Sequence, residues 1–244
     1  MKRMARTYDD PCGVARALDL IGDRWALLVV RELLLGPKRF SELRRGLPGA
    51  GQSMLTHRLT ELEQAGVLRR RQLGPPASAW GYELTEVGLD LEPVLLALGR
   101  WGSRAPTASS ADLSVDALVL AMRTTFDAAA AANLRAICEL RLDGDTLALE
   151  ITDGSCRITR GAARSPDVVI ETGATALRGL IFGGRSLAAA EKAGLATVRG
   201  DRETATRLLT LFPRPRVGDH HRDEGAACEK LRIMTAQPGT RAPS

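Results

Sequence analysis

Aromatic side chains make up only 4% of the 244 residues, so a core here must be built from Leu, Val, Ile and Ala rather than from packed rings. No apolar run approaches the ~20 residues that a membrane-spanning helix needs. Residues 1–10 carry charge with no apolar stretch behind them, which gives no secretory signal and leaves a cytoplasmic protein as the expectation. Four cysteines, Cys12, Cys138, Cys156 and Cys228, are scattered without CxxC spacing. That argues against a zinc site or a redox pair and for free thiols in a reducing compartment.

The signatures of catalysis are also missing. There is no GxSxG elbow and no Walker A loop. Gly179-Leu-Ile-Phe-Gly-Gly184 is glycine-rich but lies in a helical stretch. His220-His221 falls in a polar tail. The carboxylates between 139 and 153 alternate along hairpins as solvated faces do. The expectation is a non-enzyme with no catalytic residue, no metal and no cofactor.

What is present is charge, unevenly placed. Residues 1–104 hold 16 basic and 12 acidic groups, whereas 105–211 hold 12 and 13. Residues 38–71 alone hold 8 basic groups against 3 acidic. A basic first half beside a neutral second half points to a polyanion partner for the first half only, although a solvated basic face has the same composition.

The pattern divides the chain into residues 1–103, a small, polar, Pro-containing linker at 104–111, a second domain at 112–212, and a polar tail at 213–244 without periodicity, expected to be disordered. In the first domain Val14, Leu18, Ile21, Trp25 and Leu28 recur at 3–4 spacing and predict a buried helical stripe. The apolar run ends at Gly36-Pro37. Residues 40–46 make a short helix and 47–51 a turn. Residues 53–65 make a third helix, with Leu55, Leu59 and Leu62 inward and Gly66 at its C′ position. The period then changes: 67–73 and 79–84 read as strands around a turn at 74–78. Thr85 offers an N-cap, and Pro93 starts a separate helix with Leu91, Val94, Leu95, Leu98 and Trp101 on one stripe. This order of helices and hairpin is the winged helix–turn–helix layout.

In such a motif the second helix presents its first turns to base edges in the major groove. With the leucines inward, Gln52, Ser53, Thr56, His57 and Arg58 become the candidate readers of DNA. Arg39, Arg44 and Arg45 around the short helix, and Arg69 and Arg71 of the wing, are candidates for phosphate contact, with Ser41 a further candidate DNA-binding residue. Against this, His57 is equally at home as a solvent-exposed residue, and wing arginines also serve to blunt a sheet edge.

The segment resembles the HxlR family of bacterial winged-helix regulators over about ninety residues, 12–101. The carriers are Cys12-Gly-Val, Ala17-Leu-Asp-Leu-Ile-Gly-Asp-Arg-Trp25, the apolar run 28–35 with Gly36-Pro37, Arg39-Phe-Ser-Glu-Leu-Arg44, Leu47-Pro-Gly49, Met54-Leu-Thr with Arg58-Leu-Thr-Glu-Leu-Glu-Gln-Ala-Gly66, Tyr82-Glu-Leu-Thr85, and Pro93-Val-Leu with Leu98 and Trp101. The resemblance implies a homodimer built by the N-terminal and post-wing helices (Leu18, Val94, Leu98 and Trp101) on a near-palindromic operator. It departs at Gly51, where the family usually has a side-chain cap, and at Gly81, where an acidic residue usually precedes the wing tyrosine. Cys12 matches the family's frequent N-terminal cysteine and is a candidate redox sensor, or else a buried structural residue.

In the second domain a helix is expected over 115–132, strands over 134–142, 146–152 and 155–160 joined by Asp143-Gly144 and Asp153-Gly154, and a strand over 168–171. Helices follow at 174–182 and 187–193, then a strand at 195–199 and a helix at 201–211. The expected class is α+β: a winged helix–turn–helix followed by an α/β sandwich with a mainly antiparallel sheet. Asp167-Val-Val-Ile, Ala176-Leu-Arg-Gly-Leu-Ile, Gly184-Arg, Ala188-Ala and Leu195-Ala-Thr-Val-Arg-Gly-Asp201 resemble sterol-carrier-protein-like domains. That resemblance implies an apolar ligand site and a hydrophobic effector, with Met122, Phe126, Leu149, Ile151, Ile181 and Phe182 as candidate wall residues or as ordinary core.

Three functions compete on the sequence. The first is an effector-responsive, dimeric DNA-binding regulator in which the 102–111 segment transmits the signal. The second is a lipid-binding protein with only non-specific DNA affinity. The third is a regulator switched through Cys12 with an inert second domain.

Overall fold

A computed structural model describes residues 7–74, 79–105 and 111–214. Residues 75–78 of the wing turn expected at 74–78, linker residues 106–110 and the tail from 215 lie outside the described residues, as do His220, His221 and Cys228. The described residues all belong to one compact unit ending at Arg214, and among them no helix is long and apolar enough to cross a membrane.

The expected first helix is two: α1 (Gly13–Ile21) and α2 (Ala26–Leu33). The break is at Trp25, which takes a left-handed conformation with φ 78°, rare for a bulky residue. Its ring is held between the Arg24 guanidinium, 5.1 Å from the ring centroid, and Gly49, where a Cβ would stand 2.9 Å from the indole. Then come β1 (Lys38–Arg39), α3 (Phe40–Gly46), α4 (Gln52–Gln64), β2 (Leu68–Gln72), β3 (Trp80–Leu84), α5 (Glu86–Leu89) and α6 (Glu92–Gly102). Gly66 closes α4 at φ 71°, and the Thr85 hydroxyl caps α5 by accepting from the Gly88 amide.

The wing is a three-stranded sheet, β1-β3-β2, not a simple hairpin. β1 pairs Lys38 with Tyr82 and Arg39 with Gly81. A side chain at 81 would press on the Lys38 carbonyl, 2.9 Å away, and on Leu73. Gly81 therefore leaves room for β1 against β3.

The second half contains α7 (Val115–Thr125), β4 (Ala136–Leu142), β5 (Asp145–Thr152), β6 (Ser155–Arg160), β7 (Val168–Thr172), α8 (Ala174–Phe182), α9 (Leu187–Lys192), β8 (Ala196–Gly200) and α10 (Arg202–Thr210). Helix α7 ends at Thr125, well before the expected 132; the Ala-rich stretch after it forms turns that bring Ala131 and Leu134 into the core. Both Asp-Gly turns have positive φ at both residues, the primed geometry that tight hairpins favour.

The sheet order is β6-β5-β4-β7-β8. The sheet is mixed: β4 and β7 run parallel, while the other neighbours are antiparallel. Alternate residues Ala136, Cys138, Leu140 and Leu142 of β4 are buried, with Leu147, Leu149 and Ile151 opposite them on β5. The intervening positions include charged Arg141 and Glu150, so one face meets the core and the other carries charge.

Two hydrophobic clusters result. One gathers Val29, Val30, Leu33, Leu43, Leu55, Leu59 and Leu62 of the winged helix. The other gathers Leu118, Met122 and the inward face of the five-stranded sheet. They meet: Leu120 of α7 packs on the first cluster and Leu35 on the second. Helices α6 and α7 also approach closely, since a Cβ on Gly99 would stand 3.1 Å from the Thr124 hydroxyl.

Candidate nucleic-acid interface

Helix α4 is built by two opposed demands. Leu55, Leu59 and Leu62 are buried to within 1% exposure, which aims the rest of the first turns outward. Gln52, Ser53, Thr56 and His57 are all exposed. Gly51 provides no side-chain cap to α4, so first-turn amides are left open to solvent or to an anion. The Thr56 hydroxyl donates to the Gln52 carbonyl at 3.0 Å. His57 Nε2 lies 3.0 Å from Glu61. Met54, on the same exposed side, is 44% accessible.

Arg58 stands apart from this face. It is only 6% exposed, with Nη1 donating to Asp23 at 2.8 Å and also to Glu61. Its position explains the difference: 55, 58, 59 and 62 are i, i+3, i+4 and i+7, one stripe of a helix. A buried guanidinium so paired braces α4 against the segment between α1 and α2.

Around α3, Ser41, Arg44 and Arg45 include the outward groups, and Arg39 is half-buried. The Arg39 amide donates to the Glu42 carboxylate at 2.6 Å, fixing the start of the helix. Arg44 Nη1 reaches Gln52 Oε1 at 3.5 Å, so the end of α3 and the start of α4 present cation and amide side by side.

The wing arginines divide as strand alternation requires. Arg69 and Arg71 share one face, where both donate to Glu83, at 2.8 and 2.7 Å. The Arg71 hydrogen bond, with help from Arg69, holds the Glu83 carboxyl below its ordinary value. Arg70 points the other way, over the Tyr82 ring at 5.7 Å and near Glu63. Arg69 and Arg71 remain more than half exposed and open to phosphate.

A separate apolar groove runs between α1, α2 and α6. It encloses about 530 Å³ and is lined by Val14, Leu18, Leu28, Val94 and Leu98 among others. Val14, Leu18 and Leu28, expected as part of a buried stripe, are 37–68% exposed, and Trp101 at the end of α6 is 71% exposed. The helix break at Trp25 turns these side chains outward, away from the core that Ile21 still joins. Contiguous apolar surface of this kind is characteristic of faces that meet a partner.

Cys12 is exposed at the N-cap of α1, not buried, and its amide donates to Asp10 at 2.8 Å. Burial raises the Cys138 thiol to about 12 and the Cys156 thiol to about 11. Of the candidate ligand wall, Met122, Leu149 and Ile151 are fully buried in the second core, while Phe126, Ile181 and Phe182 pack half-buried at its margin. Phe126 also meets Phe212, ring centroids 5.8 Å apart. Among the described residues no cluster of His, Cys, Asp and Glu could hold a metal.

Comparison with known proteins matches residues 20–109 to the family described as HxlR-like helix-turn-helix. Two similar proteins of Bacillus subtilis (strain 168) are uncharacterized HTH-type transcriptional regulators. YdeP is 42% identical over 96 residues, which cover 38% of this chain and 73% of YdeP. YkvN is 40% identical over 91 residues, 37% of this chain and 77% of YkvN. Among solved structures, the redox regulator HypR in its oxidized form is 36% identical, with 40% of this chain and 100% of that chain covered and a TM-score of 0.36.

Proposed function

The chain belongs to the HxlR-like helix-turn-helix family, and from that premise we propose that it is a homodimeric transcriptional regulator that reads a near-palindromic operator. The observation that carries this reading is the exposed first-turn face of α4, Gln52, Ser53, Thr56 and His57, set above three buried leucines and beside Arg44. Gln52 and Thr56 supply hydrogen bonds and a methyl group to base edges. Arg39, Ser41, Arg44, Arg69 and Arg71 supply contacts to phosphate, which orient the protein and add salt-dependent affinity.

The groove of Leu18, Leu28, Val94 and Leu98, extended by Trp101, is the surface on which a second copy docks. Two-fold pairing there sets two copies of α4 against half-sites about one helical turn apart.

The second half serves as an effector domain of sterol-carrier-like type that answers to a hydrophobic small molecule. What supports this is a five-stranded sheet with one apolar face and a margin of half-buried Phe126, Ile181 and Phe182 where a ligand would enter by displacing side chains. A second reading, a switch through Cys12, draws on the exposure of that thiol while Cys138 is buried and Cys156 half-buried.

The deciding experiment titrates the protein against its own upstream promoter DNA and a scrambled duplex at one physiological salt concentration. A regulator binds the promoter at least ~10³-fold more tightly. Equal, weak binding to both at every upstream segment tried would move the chain to the ligand-carrier reading.

A further inference from the structure

A line of charged groups runs from the winged helix into the second half of the chain. Glu32, near the end of α2, has no exposed surface. It accepts from Arg31 at 2.9 Å, from Lys38 Nζ at 2.9 Å and from the Ser114 hydroxyl at 2.7 Å. Lys38 also donates to Asp116, a residue only 3% exposed on the first turn of α7. Asp116 in turn accepts from Arg160 of β6 at 3.0 and 3.2 Å, and Arg160 reaches Asp145 of β5. Anion and cation alternate along the whole line, so each buried charge has an opposite neighbour, as burial requires.

Lys38 occupies the place where this line meets the wing. It is half of the two-residue strand β1, paired to Tyr82 of β3, and β3 carries β2 with its arginines. The next residue, Arg39, leads into α3, and the far end of α3 lies on the same carboxylate: a Cβ on Gly46 would collide with Glu32 Oε2. Further along α7, Arg123 bonds Glu92 of α6 at 2.6 Å and also the Ile158 carbonyl of β6. Helix α7 and strand β6 thus grip the winged helix at two points, the root of the wing and the start of α6.

We infer that Lys38 and Asp116 are positioning residues, and that through them the second half of the chain sets the posture of the wing and hence its hold on DNA; the DNA half of this inference rests on the function proposed above. Communication runs through the packed helix α7. A change in the second half that shifts α7 or β6 moves Asp116, and β1 follows because the Lys38 ammonium is held between Glu32 and Asp116.

The test uses the full chain with Asp116→Asn and, separately, Arg160→Gln, which lies at the more exposed end of the line and keeps the fold if Asp116→Asn does not. Hydrogen exchange is followed over β1 and β3, with β7 and β8, which carry no member of the charged line, as internal reference, and affinity is measured for promoter and scrambled duplexes. The expected result is faster exchange in β1 and β3 relative to the reference strands. Affinity for both duplexes falls about tenfold while their ratio is kept, because the wing contributes phosphate contacts. Unchanged exchange in the wing in a folded variant overturns the inference. So does faster exchange with unaltered affinity in a protein whose wild type prefers the promoter. If the wild type shows no preference but the wing still loosens, the structural link stands and the proposed regulator function is what falls.

Discussion

Arg58 Nη1 donates to Asp23 Oδ2 at 2.8 Å, a bond that ties α4 to the segment between α1 and α2. The guanidinium is buried while Asp23 is largely exposed, so the arginine carries the structural burden. Arg58→Ala removes hydrogen bonds to two carboxylates and leaves a void beneath α4. The expected loss is about 2 kcal/mol of stability, seen as a lower Tm, with DNA binding weakened as a consequence. Thr56→Ala, on the exposed face, leaves Tm within error and reduces promoter binding alone by about 1–3 kcal/mol. An Arg58→Ala protein that melts like wild type but loses promoter binding would return Arg58 to the DNA-contacting set.

The groove of α1, α2 and α6 leads to a prediction about assembly. Leu98→Asp sets a carboxylate among Leu18, Leu28 and Val94, all exposed in the single chain. The monomer fold tolerates it, because Leu98 is already 45% accessible. Burying that charge against a second copy is unfavourable by several kcal/mol, on the order of what an unpaired buried ion costs. Sedimentation velocity should show a dimer for wild type and a monomer for Leu98→Asp at micromolar concentration. A dimer in both would locate the interface elsewhere.

Much of this fold is legible in the residues. Three leucines at 55, 59 and 62 with Gly66 behind them mark α4, and two Asp-Gly pairs mark the hairpins of the second half, because both signals are local. The stripe from Val14 to Leu28 reads as core because its spacing runs unbroken through Trp25. No local signal reveals the left-handed turn that splits it and leaves most of it exposed. Strand β1 is two residues long, too short for any periodicity. The parallel pairing of β4 with β7 depends on a crossover that local pattern does not encode. The burial of Arg58 is within reach of the sequence, since it falls on the leucine stripe, but its residue type points the other way, to solvent or DNA.

The wing arginines predict a salt effect of a particular size. Arg69 and Arg71 share Glu83, so each guanidinium has donors left over for phosphate. Replacing both with Gln takes two cations per chain away from the DNA backbone. The slope of log affinity against log salt should fall by about 0.9 for each phosphate no longer neutralised, with the preference for promoter over scrambled DNA retained. A slope that does not move would take the wing out of the DNA interface.

Thiol chemistry separates the cysteines. Burial holds the Cys138 and Cys156 thiols at about 12 and about 11, leaving almost no thiolate near neutrality. Cys12 is exposed. Brief treatment of the native protein with iodoacetamide near neutral pH, followed by peptide mass mapping, should label Cys12 and spare Cys138 and Cys156. If oxidant also releases DNA, Cys12→Ser abolishes that release under the redox reading and leaves it untouched under the effector reading. Labelling of Cys138 in the folded protein would mean that the second core opens far more often than its packing implies.

The carboxylate at the centre of the charged line predicts how the fold responds to acid. Burial alone would raise the Glu32 carboxyl, but the charges of Lys38 and Arg31 and the bond from Ser114 outweigh it, so the group sits below its ordinary value of 4.5. A carboxyl held lower in the folded chain than in the unfolded one stabilises the fold above the unfolded value, and that contribution drains away as pH falls through the folded value. Wild-type Tm should therefore drop as pH is lowered below about 4.5. Other depressed carboxyls, Glu83 and Asp201 among them, add to the same decline, so the diagnostic quantity is the difference from Glu32→Gln. That variant takes away one of the two carboxylates that hold Lys38, and the carboxylate partner of Arg31, and so is less stable at neutral pH, yet its Tm falls less steeply in acid because the titrating group is gone. Parallel curves for the two proteins from about pH 6 to pH 3, the range that brackets carboxyl titration, would show that Glu32 does not contribute to acid unfolding.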